Sequence, residues 1–537
     1  MQLSFTSGLI AVMLSSVSAP GFAQTTETIS SGQPFSAIDW LSESTADPQD
    51  LQFTEPEVST GAAVESITVQ SLDAPNPDAT GLLPSSVTGF PASLWGNGHT
   101  NDIIDLINDS PISPLPALAA LRRDILLAES RPPEDGDGRL LVGRIDKMLA
   151  LGLLEDARAL MDSFAPETNR FFRRRFDVAL LLGHENAACN DIKGTGAIVP
   201  SYQLRVFCLA RNGDWNAAVL TLNSADVLGE LEPGEYDLIA RFLDPDMFEG
   251  DPDLPIPDSP TPLVYRMYEA LGEPLATRLL PRAFSHADLR STSGWKPRIE
   301  AAERLARVGA IADNRLLGIY TERQAAASGG VWDRVKTIQR FDNALTNRSV
   351  SDITEQLPEL WMMMQTTGLE RPVSNLFAPR LANLIAPKLA QDTSETPAPS
   401  PLLFGDAALR AIWHMTLLSE GYETLLPAYM PSDGQDRFLR ALTQGSPGNI
   451  VTEDPRQLAV QDGFDGSSLS PADQEYLNDD RVGELLLVAI TRFHTGTEGD
   501  LSQITSALRI LRSLGREDTA RQAALQFLLM SHLKALR

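Results

Sequence analysis

A chain of 537 residues with 43% hydrophobic content is long enough for two to four domains or one long repeat array, and it can bury a large core. Its formal charge of −27 argues against nucleic-acid binding, which needs Lys and Arg clustered against phosphates. The same charge argues against docking on an anionic membrane surface.

Residues 1–23 read as a signal peptide. An apolar stretch from Leu9 to Leu14 is followed by small residues leading to Gly21-Phe22-Ala23, a cleavage pattern before Gln24. No cysteine follows it, so lipid attachment is not expected, and no later apolar run approaches the roughly 20 residues that span a bilayer. A soluble, periplasmic protein is expected.

Residues 24–100 are rich in Ser, Thr, Pro and Asp, and the first Lys or Arg of the whole chain is Arg122. Such a composition buries too little apolar surface to offset the entropy of ordering, so an acidic, disordered arm is expected here. Two islands interrupt it. Phe35, Ile38, Trp40 and Leu41 form one amphipathic turn and a candidate docking motif; a second run, GLLPSSVTGFPASLWG, ends at Trp95. Each either orders on a partner or lies against the protein's own body.

From about Asn101 the apolar spacing is helical. Leu140, Leu141, Ile145, Met148 and Leu149 share one stripe, and PRIEAAERLARVG, TEQLPELWMMMQTTG and DTARQAALQFLLMSHL behave alike. Alternating strand-like runs are short and fall in the arm. The pattern predicts an all-α fold of short stacked helices: one helical region over 101–390, a Pro/Ser/Thr-rich linker at 391–402, and a second region over 403–537. A Pro- and Asp-rich loop at 244–262 interrupts the first. Its acidic residues at 244–253 lack the EF-hand spacing and read as a solvated loop, with calcium binding left open. Arg173, Arg174 and Arg175 point three ways on a helix and read as a solvated face. Glu359 to Gln365, ELWMMMQ, reads as core.

A device recurs at the helix joins: an apolar residue, then Gly four residues on, then a small residue five beyond it. It runs through Met148, Gly152 and Ala157, through Leu209, Gly213 and Ala218, and through Leu511, Gly515 and Ala520. Glycine ends the first helix in a left-handed conformation, and alanine lets the second approach closely. In Gly213-Asp214-Trp215, followed by Ala218, Leu222 and Ala225, the turn resembles the tetratricopeptide repeat. That resemblance implies an α-solenoid in which Trp215 and Ala218 pack between helices. The glycines recur at irregular intervals instead of the family's fixed period. The irregular helical superhelix of some periplasmic lytic transglycosylases is an equally apt comparison.

No two of the six histidines lie within five residues of each other, and GxSxG, GxxxxGK[ST] and GxGxxG are absent. No catalytic, cofactor or metal residues are assigned. Cys189 and Cys208, the only cysteines, are too far apart for a CxxC redox pair and lack companions for a metal site. A disulfide staple or two independent core thiols remain, and an oxidising periplasm favours the staple. The expected function is a non-catalytic scaffold or adaptor that binds a protein or peptide partner in the cell envelope. The alternative is a peptidoglycan-related enzyme, or its accessory factor, on a helical platform.

Overall fold

The described chain begins at Asn76, inside the stretch expected to be an arm. The computed structural model describes residues 76–164, 169–195, 201–325, 327–389, 404–423, 429–431, 433–466 and 468–530. The signal peptide, and Phe35, Ile38, Trp40 and Leu41, lie outside them. From Asn76 onward the chain is packed: Phe90, Leu94 and Trp95 are buried. Composition undervalues this segment because polar anchors fix it. The fully buried Asp78 carboxylate accepts from the backbone N–H groups of Gly138 (2.9 Å) and Leu141 (2.8 Å), capping a helix whose own cap residue is glycine. Arg144, also buried, donates to the carbonyls of Leu126 (2.8 Å), Thr80 (2.7 Å) and Ala128 (3.0 Å).

The first helices are α1 (Ser85–Thr88), α2 (Thr100–Asp109), α3 (Pro116–Leu127), α4 (Arg139–Leu151) and α5 (Leu154–Ser163). A group follows made of α6 (Asn169–Leu182), α7 (Glu185–Thr195), α8 (Tyr202–Arg211), α9 (Trp215–Leu228), α10 (Glu235–Leu243) and α11 (Pro262–Ala270). The chain continues through α12 (Ser285–Asp288), α13 (Trp295–Ala306), α14 (Asp313–Thr321), α15 (Val331–Thr346), α16 (Val350–Thr367) and α17 (Glu370–Leu389). It ends in α18 (Asp406–Leu418), α19 (Gly434–Thr443), α20 (Pro455–Asp465), α21 (Pro471–Asn478), α22 (Val482–Thr497), α23 (Leu501–Ser513) and α24 (Glu517–Leu529). Among the described residues the fold is all-α. The extended pairing is a single bridge between Leu83 and Ala128.

Two cores organise these helices, and α6 is the wall between them. Phe171, Val178 and Leu181 on one side of α6 join a main core that runs from Phe90 to Met530. Phe172, Phe176 and Leu180 on the other side join a smaller core shared by α7–α11. The 3.6-residue period places these two sets on different faces of one helix. The stretch 391–402, expected as a joint, lies outside the described residues; α17 and α18 on either side of it pack on each other within the main core.

The ends of the helical stack meet. The Leu94 carbonyl accepts from Gly483 N–H (2.7 Å), and Asn97 N–H donates to the Asp479 carbonyl (3.0 Å). Trp95 lies so close over Gly483 that a Cβ there would come within 2.7 Å of its ring. Arg516 donates to the Thr88 carbonyl (2.7 Å) and stacks on Phe90, while Ala117 N–H donates to the buried Gln526 side chain (2.8 Å). Contacts then run from α3 to α24, to α18 and back through α17 and α14.

Candidate interaction surface

The lobe built on α6 is assembled from the residues upward. Arg174 ties α6 to α4 through both Asp146 oxygens (2.5 and 2.7 Å), and Arg175 donates to the carbonyls of Met161 (2.5 Å) and Phe164 (3.2 Å). Arg173 pairs with the buried Asp177 at 3.5 Å. The three arginines are therefore not the solvated face that their row suggests. They fasten the lobe, because the helix they sit on is buried on two sides. A disulfide between Cys189 and Cys208 joins α7 to α8, with Cα atoms 5.1 Å apart and both residues buried.

The α8–α9 turn follows the repeat device. Gly213 takes φ 82°, left-handed, and the Asp214 carboxylate caps α9 by accepting from Ala217 N–H (3.3 Å). Ala218, Leu222 and Ala225 are buried against α8. Trp215 is not between helices as the resemblance implies: it is 49% exposed. It stands at the first position of α9, on the flank that no following helix covers. Beyond it Leu220 (68% exposed) and Val227 (86%) face outward, with Val219 and Leu228 exposed beside them. α9 is thus apolar around most of its circumference yet buried along one stripe only. A helix of that composition ordinarily has neighbours on every side. Asp226 is the one charged residue within it.

No known protein family, curated protein or solved structure compared with the chain matches it. The remaining assignments rest on geometry alone. Gly152 and Gly515 take φ 79° and 71°, and Ala157, Ala218 and Ala520 are fully buried. In ELWMMMQ, Leu360, Trp361 and Met364 are buried while Met362 is exposed. Among the described residues no helix is long and apolar enough to cross a membrane, and no three His, Cys, Asp or Glu side chains converge as metal ligands.

Two polar features escaped the sequence. Asp436, fully buried, accepts from Tyr429 OH (2.6 Å) and from an Arg410 Nη (3.1 Å), and contacts His414 Nε2 (3.0 Å). Burial pushes its carboxyl up, but the hydrogen bonds from His414, Arg410 and Tyr429 outweigh that and hold it well below the carboxylate range. An acceptor so fully engaged is a clamp between α18 and α19, not a base. The second feature is an open groove of about 670 Å³ between α20 and α23, where Ser470, Ser502, Thr505 and Ser506 present hydroxyls beside Asp462 and Arg509. Its residues come from three separate helices, and no local motif announces it.

Proposed function

We propose that the protein is an exported helical adaptor that holds a partner protein on the α9 face, working in the periplasm. The observation that carries this reading is the exposed apolar run of Trp215, Val219, Leu220, Val227 and Leu228 on a helix with one charged residue. One exposed apolar residue is ordinary, but five on a single helix of a cross-linked lobe support an interaction site. The fitting occupant is an amphipathic helix of another protein, packing as the missing neighbour of α9. Asp214, Asp226, Glu230 and Glu232 border the run, so that helix should carry Lys or Arg beside its apolar stripe. Export is supported by the signal-like residues 1–23 and by the disulfide, which suits an oxidising compartment.

The test uses a photo-crosslinking side chain at Asn216 in the full chain, expressed in its own cells. The expected outcome is a crosslink to a distinct protein that is lost in Leu220→Asp/Val227→Asp, whose melting stays within a few degrees of the parent. No crosslink, or one that survives the double substitution, refutes the reading.

A further inference from the structure

The charge of −27 is not evenly spread: beside the main core lies a group of buried and half-buried arginines without carboxylate partners. Arg122 is 3% exposed and donates from its Nη atoms to the carbonyls of Pro111 and Ile112, leaving Nε buried with no partner. Arg282 lies against Gly152, donates one Nη to Ser113 Oγ (3.1 Å), and leaves Nε and the other Nη buried without partners. Arg304 reaches only carbonyls and a hydroxyl, at Thr277, Leu280 and Ser285. Burial lowers the Arg122 guanidinium to about 9, with Arg282 adding to the effect, and lowers Arg282 to about 10, with Arg304 and Arg307 adding. These neighbours repel one another in a medium that screens poorly.

Beside this cluster is a cleft of about 230 Å³ where α3, the α4–α5 turn, the α13–α14 turn and the start of α17 converge. Arg122, Arg123, Arg307 and Arg371 line it, against Asp313 and Glu420. Arg123 is spent on Asp156 through two short bonds (2.6 and 2.7 Å). Arg371 is 3.9 Å from Glu420, whose side chain is mostly in solvent; Arg307 gives Nε to the Thr367 carbonyl (2.7 Å) and one Nη to Glu303, which it shares with the closer Arg334, leaving only its other Nη. Asp313 accepts from Asn375 (2.8 Å). The starts of α3 and α14 also border the cleft, but Gln526 already accepts from Ala117 N–H in the first turn of α3, and Asp313 stands in the first turn of α14.

We propose that this cleft binds a small oxyanion, a phosphate or carboxylate group, held by Arg371 and Arg307 beside the buried charge of Arg122. The forked guanidinium matches either group through paired N–H donors, and the volume has room for such a group with water beside it. This site is separate from the α9 face and stands or falls independently of it.

Calorimetry on the full chain tests the proposal, with inorganic phosphate and succinate titrated at constant ionic strength against a sodium chloride control. The two anions distinguish the source of the oxygens. The expected result is saturable binding of at least one anion, weakened about tenfold by Arg371→Gln and by Arg307→Gln, and unchanged by Arg509→Gln in the distant groove. Arg371→Lys, which keeps the charge and loses the fork, should weaken it less, and it serves if the Gln variants fail to fold. Absence of saturable binding by both anions, or binding indifferent to every one of these cleft substitutions, overturns the proposal.

Discussion

Two buried titratable side chains pull the stability of this protein in opposite directions. His286 donates from Nε2–H to the Gly152 carbonyl (2.7 Å), and its Nδ1 is buried with no partner. Burial lowers its pKa to about 4, opposed by the Gly152 bond. The unfolded chain takes up this proton near the ordinary value of 6.5, the folded chain only near 4. Stability from this site is therefore present above pH 6.5 and is lost as pH falls toward 4, by about 3 kcal/mol in all. Glu370 is the reverse case. Both of its oxygens are buried and unpartnered, and burial raises it to about 7 against the pull of its own backbone and of Arg307. Its contribution is present below pH 4.5 and is lost as pH rises through 7. Denaturant unfolding followed from pH 4 to 8 should show Glu370→Gln gaining about 3 kcal/mol over the parent at pH 8 and little at pH 4. His286→Gln should flatten the acid limb alone. Neither residue stood out in the sequence, because a lone His or Glu on an apolar face carries no sign of the packing that surrounds it.

At the scale of elements, the helices were legible and their neighbours were not. The 3.6-residue spacing marks α4, α13, α16 and α24 where the structure has them, since burial of one stripe is a local property of the chain. The left-handed glycines at 152, 213 and 515 were legible for the same reason. Trp215 was misread because its burial depends on whether another helix follows on that flank, which no local pattern encodes. The arginine-lined cleft was invisible because its residues come from four elements between Arg122 and Glu420. The disulfide could be inferred from two lone cysteines and a compartment. It joins α7 and α8, so its loss should be felt in the lobe first. Cys189→Ser/Cys208→Ser is expected to cost about 3 kcal/mol by urea unfolding. Hydrogen exchange should accelerate in α7–α10 while α22–α24 keep their protection.

At the scale of the whole molecule, the segment from Asn76 to Trp95 is what the sequence concealed most completely. Its composition is that of an arm, but Asp78 caps α4 from 60 residues away and Trp95 fills the space over Gly483. Composition sums apolar area and cannot weigh a carboxylate that satisfies two helix N–H groups. Trp95→Ala should therefore destabilise the protein by about 3–5 kcal/mol in urea unfolding, as for a core tryptophan. Gly483→Ala should cost about 1–3 kcal/mol through overpacking against the same ring. A surface role for Trp95 predicts no change in either.

The seam between Trp95 and Gly483, and between Ala117 and Gln526, also sets an order of events. The apolar side chains of the first described segment find their cover in helices hundreds of residues further along the chain. Contacts of such long sequence separation close late and slowly. A chain cut short before α22 would leave Trp95 and Phe90 bare, an open invitation to proteases.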